Sequence, residues 1–129
     1  MKIFISKTFF ILFVLPVILL ASPPKVKISQ IINNPDKYHN QYISVEGYIE
    51  KIKQKTSHKG NQYTTFSISD REGNSLKVFL WGWEGIEKQE IEEGDKVEVE
   101  GIFQKVKYVG KYKFFNEIEA EKIKKKEGR

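Results

Sequence analysis

Apolar and polar residues alternate over most of this chain, and the alternation divides it into elements. In "QYISVEGYIEKIKQK" (residues 41–55), Ile43, Val45, Gly47 and Ile49 fall on one side and Tyr42, Ser44, Glu46 and Tyr48 on the other. A period of two predicts a strand with one buried face, and Gly47 within it predicts a bulge or bend. "QYTTFSIS" (62–69) predicts a second strand, with Phe66 and Ile68 inward and Tyr63, Thr65 and Ser67 outward. "SLKVFLWGW" (75–83) predicts a third. "EGDKVEVEGIFQKV" (93–106), with Val97, Val99 and Gly101 facing one way, predicts a fourth, and "KFFNEIEAEKI" (113–123) a fifth. "EGIEKQEI" (84–91) is long enough for about two helical turns. "ISQIINNPDKY" (28–38) reads as a short helix broken at Pro35, or as a turn-rich lead-in. "DREGN" (70–74) closes a tight hairpin in which Gly73 and Asn74 are expected to supply the positive φ. A lone hairpin is marginal in water, so five strands with a bending first strand and a helical third connection predict one all-β Greek-key barrel.

The third strand has two faces that both look apolar. Leu76, Val78 and Leu80 alternate with Lys77, Phe79 and Trp81. One face fills the barrel. The other is either a platform for something that stacks, or is covered by the N-terminal segment or the loop after the fourth strand. Trp83, past Gly82 and beside the helix start, is expected in the core.

The first 21 residues stand apart. Lys2 and Lys7 precede "TFFILFVLPVILL", thirteen uncharged residues, and "ASPP" follows. This is the layout of a secretory signal peptide; at about 20 Å as a helix it falls short of the ~30 Å hydrocarbon core. Ala21 suits a cleavage site, whereas Leu19 is large for its place two residues earlier. Residues 1–21 are therefore either a cleaved leader or an uncleaved anchor, and the chain is exported in both cases, to the periplasm or beyond.

Composition narrows the chemistry. The 129 residues fit one small domain, expected over 26–123, with 124–129 as a frayed charged tail. Cysteine is absent, which leaves no disulfide framework, no disulfide-linked partner and no thiolate nucleophile or metal site. Lysine and arginine number 22 against 17 acids, a net of +5. The distribution matters more than the total. Residues 51–59 carry Lys51, Lys53, Lys55 and Lys59 with no acid, and 105–113 carry Lys105, Lys107, Lys111 and Lys113 with none. Residues 84–100 hold eight acids, which read as a solvated face rather than a metal site. His39 and His58 are isolated in polar turns, with no spacing that would build a zinc site or a nucleophilic pair. No catalytic residue, metal or cofactor is expected, and the chain reads as a non-enzyme.

"SVEGYI", then "FSISDREGNSLKVFLWG", then "EEGDKVEVEG" resembles the nucleic-acid-binding OB domains of replication protein A and of anticodon-binding type. The match covers residues 43–119 and implies a five-stranded Greek-key OB-fold barrel. In that pattern the aromatic of the "lW" pair stacks on a base, and Trp81 falls on its position. Those relatives are mostly intracellular. A signal peptide, a "G.i" strand and a "Y.F.D..G" hairpin are also similar to small periplasmic bacterial OB-fold proteins linked to stress responses.

OB-folds take oligonucleotides on the face of strands two and three, with the loops after strands one and four as arms beside it. Here the two arms are the acid-free lysine stretches. Trp81, Phe79 and Tyr63 are the expected stacking residues. Lys77, Lys53, Lys55, Lys59, Lys107, Lys111 and Lys113, with Tyr108 and Tyr112 between them, complete the expected interface. Charge suits phosphates and flat rings suit unpaired bases, so single-stranded DNA or RNA is the expected partner. Lysine-rich hairpin tips also serve simply to protect edges. The alternative is a periplasmic module for an envelope protein, a glycan or a small ligand. A membrane contact is expected only if the leader is uncleaved.

Overall fold

The structure, a computed structural model, describes residues 22–127. The expected leader, residues 1–21, lies outside the described residues. Helix α1 (Ile28–Asn33) ends just before Pro35, as expected, and Pro35 opens the short helix α2 (Pro35–Tyr38). The strands are β1 (Tyr42–Thr56), β2 (Gln62–Ser69), β3 (Ser75–Trp81), β4 (Lys96–Val109) and β5 (Tyr112–Lys125), with helix α3 (Glu84–Lys88) between β3 and β4. They close in the order β1-β2-β3-β5-β4, every pairing antiparallel except β3 with β5. Closure removes the sheet edges that an open five-stranded sheet would leave to solvent.

The inward residues are those that the alternation marks. Ile43, Val45, Ile49, Phe66, Ile68, Leu76, Val78, Leu80, Val97, Val99, Phe103 and Ile118 are all buried. Ile28 and Ile31 of α1 join the same core, as do Ile86 on α3 and Ile91 just after it. This apolar cluster holds the barrel without disulfides.

Four local features depart from the sequence reading. Gly47 is not a bulge. The register of β1 against β2 shifts between Glu50 and Lys53, where Lys51 takes φ +57°. Gly47 instead lets strands approach: a Cβ there would lie 2.8 Å from the Ile68 Cβ and 3.0 Å from the Ile28 Cδ1. In the β2–β3 turn, Arg71 (φ +61°) and Gly73 (φ +97°) take the left-handed conformation, and Asn74 does not. Asn74 instead ties the turn to Asp70, donating its backbone N–H and side-chain amide to that carboxylate. Those bonds, the side-chain one first, hold the Asp70 carboxyl below its usual range. The first residues of the stretch expected to fray continue the fold: β5 runs through Lys125, and the Lys126 N–H donates to the Lys96 carbonyl at 2.8 Å, while residues 128–129 lie outside the described residues. Finally, Trp83 is half-buried and outside the core cluster. Its indole N–H donates to the carbonyls of Tyr63 at 3.0 Å and Lys55 at 3.2 Å, so it clamps β1 and β2 beside the end of β3.

Candidate nucleic-acid interface

Residues directly opposite in a sheet share a face, so the register arranges the outer side of β1, β2 and β3 in rows. One row is Lys55, Tyr63, Trp81; the next is Lys53, Thr65, Phe79, Glu119; a third is Glu50, Ser67, Lys77, Glu117. Three rings meet at the centre. Tyr63 stacks on Phe79 with centroids 5.3 Å apart, and Trp81 stands edge-on to Phe79 at 4.9 Å and to Tyr63 at 6.1 Å. Phe79 and Tyr63 are half-buried, while Trp81 is 59% exposed. Among the described residues, neither the segment before β1 nor the turn after β4 covers Trp81. Lysines and a partly open ring cluster thus lie on one continuous face.

Trp81 is held from beneath. Thr64, fully buried, donates its hydroxyl to the Gly82 carbonyl at 2.8 Å, and the Gly82 N–H donates to the Gln62 carbonyl. Gly82 has φ +82°, a conformation that favours glycine, and it turns the chain from Trp81 towards the Trp83 clamp. Beside it Gly60, Asn61, Gln62, Trp81 and Gly82 line an open hollow of about 540 Å³ between the β1–β2 turn and the end of β3.

The two arms differ. Lys53 and Lys55 stand on the face itself and are exposed; Lys59 is exposed in the β1–β2 turn. On the β4–β5 hairpin the residues divide between two sides. Lys107 pairs with Phe114 and Val109 with Tyr112; Tyr108 pairs with Lys113 and Val106 with Phe115 on the opposite side. Lys107 alone reaches the ring cluster, its Nζ 4.6 Å from the Phe79 centroid. Lys111 lies near the Tyr112 ring at the turn, at 5.9 Å. The structure therefore brings Trp81, Phe79, Tyr63, Lys77, Lys53, Lys55 and Lys107 together, and turns Tyr108 and Lys113 away from Lys107.

Three acids share this face: Glu50 in the row of Ser67 and Lys77, and Glu117 and Glu119 on β5. Glu117 and Glu119 on β5 lie 3.4 Å and 3.8 Å from the Lys107 Nζ. The signal that places them is the parallel β3–β5 register, which the charge runs along the chain do not carry. Lys105 is likewise occupied at the root of the arm, donating to Asp36 at 2.6 Å; that bond holds the Asp36 carboxyl below its usual range. His39 also has a structural partner, its Nδ1 accepting from the Lys105 N–H at 3.0 Å. Among the described residues no group of three or more His, Cys, Asp or Glu could hold a metal ion.

A five-stranded closed barrel with this strand order, a helix before β4 and long β1–β2 and β4–β5 hairpins is an OB-fold. Solved structures agree. A protein described as a nucleic acid-binding lipoprotein from Klebsiella pneumoniae subsp. pneumoniae superposes with TM-score 0.58 and 15% identity, over 84% of this chain and 96% of that one. An OBody bound to hen egg-white lysozyme gives TM-score 0.54 and 18% identity, over 84% of this chain and 99% of that one. A protein described as an aspartyl-tRNA synthetase from Leishmania major gives TM-score 0.61 and 14% identity over 81% of this chain, which spans only 21% of that protein. At these identities the likeness is one of fold. No protein-family model and no curated protein sequence matches the chain.

Proposed function

We propose that this chain is an exported, non-enzymatic OB-fold module that binds single-stranded nucleic acid, with little sequence preference, across the outer face of β2 and β3. One observation carries the reading: the Tyr63–Phe79–Trp81 cluster leaves Trp81 59% exposed in a row with Lys55 and beside Lys53. An open ring offers a base a stacking surface whatever its identity, at about 1–3 kcal/mol each. Lys53, Lys55, Lys59 and Lys77 are the cations for the phosphates. Lys107 counts for less, because a phosphate must compete for it with Glu117 and Glu119. The nucleic acid-binding description of the Klebsiella protein of the same fold supports this reading, and its description as a lipoprotein supports export. Among the described residues no helix is long and apolar enough to cross a membrane.

Fluorescent oligo-dT titrated at low salt tests the proposal. Binding with three to five phosphates engaged gives a log–log salt slope of roughly −2 to −3.5. No binding at roughly tens of micromolar, or a flat salt response, ends it. The acids beside Lys107 favour a second reading, a cleft for an envelope protein or a glycan of mixed or neutral charge. That reading predicts a partner recovered from envelope extract and lost in Trp81→Ala, with oligonucleotides ignored.

A further inference from the structure

Seven large apolar side chains are exposed among the described residues, and five of them are on the β4–β5 arm: Tyr108, Val109, Tyr112, Phe114 and Phe115. They occupy both sides of the hairpin. Val109, Tyr112 and Phe114 share the side of Lys107, while Tyr108 and Phe115 share the other with Lys113, whose Nζ lies 5.6 Å and 5.2 Å from their ring centroids. A strand of nucleic acid crossing the β2–β3 face can cover only one side.

The arm's charges are graded along its length. At the root, Lys105 is paired with Asp36, and Lys107 with Glu117 and Glu119. At the tip, Lys111 and Lys113 contact rings and form no ion pair with an acid among the described residues. No acid occurs from Gln104 to Asn116. A second copy of this arm would therefore meet like charge.

We propose that the tip of the arm inserts edge-on into the headgroup region of a bilayer leaflet rich in anionic lipid. A lipid interface surrounds an inserted hairpin, so it covers both apolar sides at once. Aromatic rings settle at headgroup level, and the unpaired tip lysines meet anionic headgroups. The reach agrees: from Val106 to Val109 the strand advances about 10 Å, near the ~5–10 Å to which interfacial elements bury. This contact is separate from the β2–β3 face, and the oligo-dT titration and the vesicle experiment fail independently.

The chain has no cysteine, so Val109→Cys takes a single environment-sensitive fluorophore in the full-length protein. Vesicles of phosphatidylcholine with phosphatidylglycerol should shift its emission to the blue, and pure phosphatidylcholine vesicles should not. The same fluorophore at Glu87→Cys on α3 should stay unchanged. Tyr108→Ser with Phe115→Ser should abolish the shift. Lys111→Gln with Lys113→Gln should lower partition onto the anionic vesicles roughly thirtyfold, about fivefold per lysine. All four side chains are exposed, so these variants should keep a single cooperative urea transition like the parent's. The proposal is overturned by no shift on anionic vesicles, by an equal shift on neutral vesicles, or by an equal shift at Glu87→Cys. A shift produced by oligo-dT or an acidic protein, and not by vesicles, also overturns it by giving the arm a different partner.

Discussion

Trp81→Ala separates a binding residue from a structural one. The residue is 59% exposed, so about two fifths of its surface is covered, with Phe79 and Tyr63 among its neighbours. For a tryptophan that is on the order of 80–100 Å², or about 2 kcal/mol at 25 cal/mol/Å², and nearer 1 once a compact unfolded chain is allowed for. Loss of one stacked base costs about 1–3 kcal/mol, which raises Kd for oligo-dT about 5- to 150-fold. The neighbouring Leu80, 6% exposed, should behave in the opposite way. Leu80→Ala should lose about 2–5 kcal/mol of stability through a cavity, with its outer face intact. Anisotropy titrations at low salt and urea melts on both variants read the two quantities separately. If Trp81→Ala binds within about twofold of the parent, no base rests on that ring. If it instead loses more than about 3 kcal/mol of stability, the ring is part of the core and the argument from exposure fails.

Three further outcomes follow from particular contacts. Gly101→Ala drives a Cβ into the Glu119 carbonyl oxygen and to 2.7 Å from the Ala120 Cα, both backbone. It should lower stability by about 3 kcal/mol or more in a urea melt, because β4 and β5 would have to part. Thr64→Val removes the donor to the Gly82 carbonyl and should cost about 1–3 kcal/mol, with weaker oligonucleotide binding as the Trp81 backbone loosens. Glu98 is held below its ordinary 4.5, first by the Ser44 hydroxyl at 2.9 Å and then by Lys126, Lys25 and Lys124. Its folded-state value is depressed, so its contribution is fully present above about pH 4.5 and is lost as pH falls through the folded value. Urea melts between about pH 5 and pH 3 should therefore be less steep in pH for Glu98→Gln.

The barrel was legible because its strands alternate where they are buried on one side. Ile43, Val45 and Ile49, or Leu76, Val78 and Leu80, announce their face by spacing alone. The candidate site was legible in part for the same reason: Phe79 and Trp81 are on the face opposite the core. Alternation fails on the arms, where the sheet leaves the barrel and neither side is core. Phe114 and Phe115, which by residue type belong inside, are exposed there. Counter-ions were hidden for a different reason. Glu117 and Glu119 come beside Lys107 through strand register, a relation between segments that no local run of charges encodes. The bulge moved from Gly47 to Lys51 because glycine has two uses, conformational freedom and absence of a side chain, and this one serves the second.

The clamp made by Trp83 gives the molecule a pair of internal optical reporters. Only two tryptophans are present. Trp81 faces solvent on the outer face of β2 and β3, whereas the Trp83 indole is hydrogen-bonded to two strand carbonyls. Acrylamide should quench the first much more than the second in the free protein. A ligand stacked on the face should protect Trp81 and leave the Trp83 emission in place. Opening of the β1–β2 hairpin should shift Trp83 before the barrel melts, so one spectrum records occupancy and hairpin integrity on separate channels.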